Sequence, residues 1–138
     1  MPRAVLDTNV LVSGLISPGG PSAALLLELR AGAFELIVSP ELLAELREVL
    51  ARPKFQTYVT AAEVAGYVEL IEHESTVHKD PPPAGEPLSA DPDDEYLVDL
   101  ARAAAADVLA SGDSHLLVLR EVVPVMTPAE FLARLAER

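Results

Sequence analysis

Short apolar runs along the chain alternate with longer segments in which apolar residues recur at helical spacing. The runs predict strands over residues 3–6, 34–38, 75–78, 107–110 and 122–126. The longer segments predict helices over residues 9–16, 21–30, 40–51, 61–73 and 114–119, and helices that begin at residues 92 and 128. Because strands and helices alternate, the pattern indicates an α/β fold with a mostly parallel sheet and helices on both faces.

The helix predicted over residues 40–51 carries three glutamates beside an apolar stripe of leucines and valine. At about 100° per residue, Glu45 lies about 40° beyond the edge of that stripe, whereas Glu41 and Glu48 lie about 80° and 100° beyond it. Glu45 is therefore the acid turned most nearly toward the core. A boundary glutamate whose stem packs on apolar neighbours is the simpler interpretation.

Two carboxylates stand where predicted strands end. Asp7 directly follows the first strand, and Asp113 follows the fourth strand in Ser111-Gly112-Asp113. In parallel α/β sheets, ligands bind in the crevice beyond the carboxyl ends of the strands. Each residue could also be an ordinary helix N-cap, so position alone leaves both interpretations open.

A proline-rich loop over residues 79–92 leads into the next group of acids. Asp91-Pro92 starts a helix, and the helical count places both Asp93 and Asp94 on its buried face, with Glu95, Asp99 and Arg102 outward. These acids could simply complement the helix dipole. A calcium-binding EF-hand loop is excluded, because its sixth position would be Tyr96 instead of glycine and its twelfth Arg102 instead of glutamate.

The composition narrows the possible functions. The 138 residues suit one domain spanning residues 1–138, half of them are hydrophobic, and no apolar run is long enough to cross a membrane. Cysteine is absent, which excludes disulfides and thiolate metal sites and fits a cytoplasmic location. The net charge is −12 without a basic stripe, so a nucleic-acid substrate would need cations or a partner to offset the repulsion.

Catalytic motifs of other kinds are missing from the sequence: there is no nucleophile elbow, zinc-protease helix or dinucleotide-binding glycine motif. The histidines are scattered, and His115, two residues from Asp113, is most simply a surface or helix-end residue. If the acids converge, their repulsion favours a hard divalent cation such as Mg²⁺ or Mn²⁺, which suits metal-assisted phosphodiester chemistry.

Four motifs in order resemble the PIN-domain family, and within it the VapC-like toxins of prokaryotic toxin–antitoxin systems. They are residues 5–11 around Asp7, residues 39–46 around Glu45, Asp91-Pro92-Asp93-Asp94 with the helix after it, and Ser111-Gly112-Asp113. The resemblance covers essentially the whole chain. It implies a three-layer α/β/α sandwich and a Mg²⁺- or Mn²⁺-dependent endoribonuclease that hydrolyses RNA.

The resemblance also implies roles for individual residues. The catalytic acids would be Asp7, Glu45, Asp94 and Asp113, with Asp7, Asp94 and Asp113 as metal ligands and Glu45 positioning the attacking water. Supporting residues would be Thr8, Asn9, Ser111 and Asp93. Only the position of the acid in the family's motif favours Asp94 over Asp93, since the helical count places both residues on the buried face.

Partners follow from the same resemblance: an RNA substrate, a small antitoxin that inserts a segment across the acidic crevice, and a second copy in a homodimer. Two alternatives stay open. One is a catalytically weak PIN-like module that binds protein or RNA, which the acidic surface favours. The other is a phosphate-accepting receiver domain, which would need a lysine after the last strand, where this chain has Thr127-Pro128.

Overall fold

The computed structural model describes residues 1–83, 85–89 and 91–137. Its strands are β1 Arg3–Leu6, β2 Glu35–Val38, β3 Ser75–Val77, β4 Val108–Ala110 and β5 Val125–Met126. Its helices are α1 Thr8–Ile16, α2 Pro21–Arg30, α3 Pro40–Leu50, α4 Ala61–Glu74, α5 Pro92–Ala103, α6 Ser114–Leu117 and α7 Pro128–Ala136, with a 3₁₀ turn at Pro53–Phe55. The predicted alternation of strands and helices is confirmed.

Within the described residues, one five-stranded sheet has the order β3-β2-β1-β4-β5, and every pair is parallel. In register, Val5 lies opposite Ile37 on one side and Leu109 on the other. These inner strands are buried on both faces, which explains why they are continuous apolar runs. The order differs from the 2-1-3-4-5 order of flavodoxin-like receiver domains, so that alternative does not fit.

The strand order changes direction between β1 and β4, because β2 and β3 extend to one side and β5 to the other. Such a switch point opens a crevice beyond the carboxyl ends of the two strands. The residues that follow β1 and β4 therefore enter the same crevice. This is the one feature of the fold that decides where a site can form.

Helices cover both faces of the sheet and pack on one another at close range. Phe34 and Phe131 meet edge to face with ring centroids 5.0 Å apart, which joins β2 to α7 in the core. On the other side, the Tyr67 hydroxyl of α4 donates a 2.5 Å hydrogen bond to the Leu11 carbonyl of α1. Gly14 permits that approach, since a Cβ there would lie 3.0 Å from the Tyr67 oxygen.

The last strand is shorter than the pattern predicts, and the helix before it ends earlier. Val122 and Val123 both donate their N–H groups to the Leu119 carbonyl, so residues 119–123 form a turn instead of a strand. Pro124 follows, and only Val125–Met126 pair with β4. The apolar character of Val122 reflects an exposed turn residue here, which an apolar run cannot distinguish from a strand.

Among its described residues, the proline-rich loop forms no helix or strand between residues 78 and 91. Ala84 and Ala90, which belong to the loop predicted over residues 79–92, lie outside the described residues. No single described helix is long and apolar enough to span a membrane, and α1 and α2 reach that length only as a pair bent by 93°.

Candidate active site

Asp7 leaves β1 at the switch point and is held there by both neighbours. Its N–H donates to the Ala110 carbonyl of β4 at 2.9 Å. Its Oδ1 accepts the Asn9 N–H at 3.3 Å as the N-cap of α1, and its Oδ2 accepts the Ser111 hydroxyl at 2.7 Å. Burial raises the pKa of Asp7, and nearby Asp113 adds to this, while the bonds from Ser111 and the backbone oppose it. The carboxylate is thus fixed, buried and disfavoured as an anion.

Ser111 connects the two strand ends. Its side chain is fully buried, its N–H donates to the Met126 carbonyl at 2.8 Å, and its hydroxyl oxygen accepts the Asp113 N–H at 3.0 Å. The same hydroxyl donates a hydrogen bond to Asp7, so it acts as both donor and acceptor. It therefore sets the spacing between the Asp7 carboxylate and the turn that carries Asp113.

Asp94 enters the crevice from the first turn of α5. It is 5% exposed, and its Oδ2 is buried without a hydrogen-bond partner among the described residues. Burial raises its pKa to about 6, and the negative charges of Asp113, Asp91 and Asp7 contribute, while His115 opposes the shift. An unpaired buried carboxylate oxygen is costly unless a cation or a proton compensates it.

The sequence prediction that Asp93 and Asp94 are equally buried is wrong, because Asp93 is exposed. The prediction that Asp99 points outward is also wrong, since Asp99 is 7% exposed. A helical count cannot predict this burial, because it assumes one buried face of constant width along the helix.

Glu45 approaches the crevice from α3. It is half-buried, whereas Glu41 and Glu48 on the same helix are exposed, in agreement with the helical count. Burial raises the pKa of Glu45, and the charges of Asp93 and Asp7 add to the shift, opposed by the nearby Thr8 hydroxyl. Asp93, although exposed, is therefore electrostatically close to Glu45.

Thr8 and Asn9 differ from each other in what they offer. The Thr8 hydroxyl oxygen is buried and completes no hydrogen bond within the described residues. Asn9 is exposed, and the bond that it donates to Asp7 comes from its backbone N–H.

The structure brings the predicted acids together. The pKa shifts show Asp7 influenced by Asp113, Asp94 by both of these, and Glu45 by Asp7. These residues come from four separate segments of the chain. Clustered carboxylates with raised pKa values, together with a buried unpaired oxygen on Asp94, are the donor set that a hard divalent cation fits.

His115 is exposed at the start of α6, as the sequence predicts, and its ring lies near two of the acids. One ligand atom each from Asp94, Asp113 and His115 lie within 4.8 Å of one another. The only signal for this in the sequence was the two-residue spacing between Asp113 and His115, which places both at the start of α6.

A hydrogen-bonded group outside the crevice also escaped sequence reasoning. The hydroxyls of Ser39 and Tyr96 are hydrogen-bonded, and Tyr96 donates to Asp80 Oδ1 at 2.6 Å, which also accepts the Glu41 N–H at 3.0 Å. Burial raises the pKa of Asp80, but the bonds from Tyr96 and the Glu41 N–H outweigh it and leave the pKa lowered. This group ties the start of the proline-rich loop to both α3 and α5.

Comparisons with known proteins show which proteins share this fold. The solved structure of PAE2754 from Pyrobaculum aerophilum is similar, with a TM-score of 0.72 and 17% identity over 99% of this chain and 97% of that chain. VapBC2 from Rickettsia felis, solved bound to a DNA fragment from their promoter, is similar with a TM-score of 0.62 and 18% identity over 91% and 98%. A comparison with curated proteins gave no match. The sequence matches the PIN domain over residues 3–115, and the chain therefore belongs to the PIN-domain family.

Proposed function

We propose that this protein is a divalent-metal-dependent endoribonuclease that acts as the toxin of a toxin–antitoxin pair. PIN domains are generally nucleases, which supports hydrolysis of nucleic acid as the reaction class. The observation that carries the proposal is the convergence of Asp7, Glu45, Asp94 and Asp113 at the switch point, with Asp94 Oδ2 buried and unpaired. The sequence contains no alternative catalytic set.

Asp7, Asp94 and Asp113 would hold the cation, which would act as a Lewis acid toward water and stabilise negative charge on the phosphoryl group. Ser111 keeps the Asp7 carboxylate oriented through its 2.7 Å hydrogen bond. Glu45, half-buried and near Asp7, would accept a proton from the attacking water at its carboxylate. Asp93, exposed beside Glu45, would tune the charge on that group.

The net charge of −12 repels RNA, so the approach of the substrate needs a less acidic surface. Residues 49–62, from the end of α3 to the start of α4, contain no acid and carry exposed Arg52 and Lys54. The Lys54 Nζ lies 5.0 Å from the centre of the Phe55 ring. Tyr58 in the same segment is 68% exposed and available for base stacking. Replacing Arg52 by alanine is expected to weaken RNA binding, measured by fluorescence anisotropy. The slope of log binding constant against log salt concentration should become shallower by about one unit.

The proposed partner is a small antitoxin, in keeping with the structural similarity to VapBC2. An antitoxin segment that inserts an arginine would neutralise the clustered carboxylates bidentately. We also propose a homodimer and a cytoplasmic location. The high negative charge favours one second candidate, a catalytically weak PIN-like module that binds protein or RNA.

The deciding experiment is cleavage of a mixed set of labelled RNAs with Mn²⁺, Mg²⁺ or EDTA. Wild type, Asp7→Asn and the exposed control Glu48→Gln are purified identically, so that a contaminating nuclease shows in all three. Metal-dependent cleavage by wild type and Glu48→Gln, but not by Asp7→Asn, is the expected result. Equal cleavage by all three, or none with any RNA, would favour the binding module instead.

A further inference from the structure

The position of His115 is not explained by an ordinary helix-end role. Asp113 Oδ1 caps α6 by accepting the His115 N–H at 2.9 Å, so the capping bond is made by the backbone. The imidazole Nδ1 lies 3.6 Å from the same carboxylate oxygen, beyond normal hydrogen-bonding distance. The ring is close to the acids without satisfying any of them.

Asp94 supplies the second, independent observation. It is 95% buried, and its Oδ2 has no hydrogen-bond partner among the described residues. One ligand atom each of Asp94, Asp113 and His115 lie within 4.8 Å of one another. By contrast, both oxygens of Asp7 already accept hydrogen bonds, from Asn9 and Ser111. The three-residue group is thus the part of the crevice with the most unused ligand capacity.

We propose that His115 supplies a nitrogen ligand, beside the carboxylates of Asp94 and Asp113, to the divalent cation of this site, which therefore prefers Mn²⁺ to Mg²⁺. The inference rests on the proposed function. Mg²⁺ is bound in proteins almost entirely through oxygen and keeps several waters. Mn²⁺ also favours oxygen ligands, but as a first-row transition metal it gains more than Mg²⁺ does from one imidazole nitrogen beside the carboxylates.

The test measures the ligand directly on the full-length protein. Metal-free protein with ¹⁵N only in histidine is loaded with Mn²⁺, and pulsed electron paramagnetic resonance compares it with unlabelled protein. A nitrogen coupling that changes from ¹⁴N to ¹⁵N on labelling is expected, and it requires no mutation. Mn²⁺ bound without any histidine coupling would overturn the proposal and leave an oxygen-only site.

Affinities provide the second measurement. His115→Gln is expected to lower Mn²⁺ affinity about tenfold while changing Mg²⁺ affinity, measured by competition, less than threefold. His73→Gln, at an exposed position on α4, is the matched control and is expected to bind both metals like wild type. Equal loss of affinity for both metals, or no loss of affinity for Mn²⁺, would contradict the proposal.

If wild type and Asp94→Asn both fail to bind Mn²⁺, this inference falls together with the metal dependence of the proposed function. An unchanged nuclease with an oxygen-only site refutes this inference alone.

Discussion

Replacing Asp94 by asparagine is expected to stabilise the metal-free protein, although the residue is buried in the crevice. Asparagine matches the protonated carboxyl in shape and charge. Burial and the neighbouring acids raise the pKa of Asp94 from 3.8 to about 6. Between these two values the folded chain holds a proton that the unfolded chain has lost, so the stability of wild type falls as pH rises through this window. The asparagine variant has no such proton to lose.

The rise in the pKa of Asp94 corresponds to about 3 kcal/mol of unfolding free energy, at about 1.4 kcal/mol per pKa unit. Water at the mouth of the crevice screens the neighbouring charges, so we expect about 1–2 kcal/mol of this in practice. For a domain of this size that is a rise of about 4–8 °C in Tm. The difference between variant and wild type should be small at pH 4, about half-developed at pH 5 and constant above about pH 7.

The assay is a series of thermal melts in EDTA from pH 4 to pH 8, followed by circular dichroism. Glu48→Gln removes one charge from an exposed position on α3 and should change Tm little at any pH. With saturating Mn²⁺ the order should reverse, because wild type gains binding free energy that Asp94→Asn lacks. A variant that is less stable than wild type at pH 8 in EDTA, or a difference that does not change with pH, would refute the reasoning.

The other predictions concern single contacts. Ser111→Ala removes the hydroxyl between Asp7 and the Asp113 N–H, so it should lower stability by about 1–2 kcal/mol in urea unfolding and slow RNA cleavage; unchanged values for both would show that the hydroxyl is not needed. Tyr96→Phe removes the hydrogen bond to Asp80, and limited proteolysis should then cut the proline-rich loop faster in the variant than in wild type. Hydrogen bonds from Thr127 and Arg120 lower the pKa of Glu130 to about 2, so Glu130→Gln should melt below wild type at pH 7, with the gap closing as pH falls from about 4.5 toward 2; a gap that stays constant would contradict this.

The sequence predicted the architecture well because parallel strands buried on both faces produce unambiguous apolar runs. The predicted helix starts at residues 40, 61 and 128 agree with the observed starts of α3, α4 and α7. The failures lie at the end of the chain. Val122 belongs to a turn held by the Leu119 carbonyl, and an apolar residue in a turn looks the same in the sequence as one in a strand.

The candidate site was only partly predictable from the sequence. Asp7 and Asp113 could be found because strand ends are recognisable, and strand ends at a switch point converge. The difference in burial between Asp93 and Asp94 was not predictable, since the helical count places both residues on the same face of α5. The hydrogen bonds of Asp80 depend on the path of the proline-rich loop, which has no repeating pattern.

The hydrogen bond from Ser111 to Asp7 joins residues 104 positions apart, and this has a consequence during synthesis. β1 lies at the centre of the sheet, but its neighbour β4 leaves the ribosome only after more than three quarters of the chain has been made. Until then one edge of β1 has no strand to pair with, and open strand edges favour aggregation. The nascent chain is therefore both inactive and vulnerable over the same interval, and both conditions end when β4 docks.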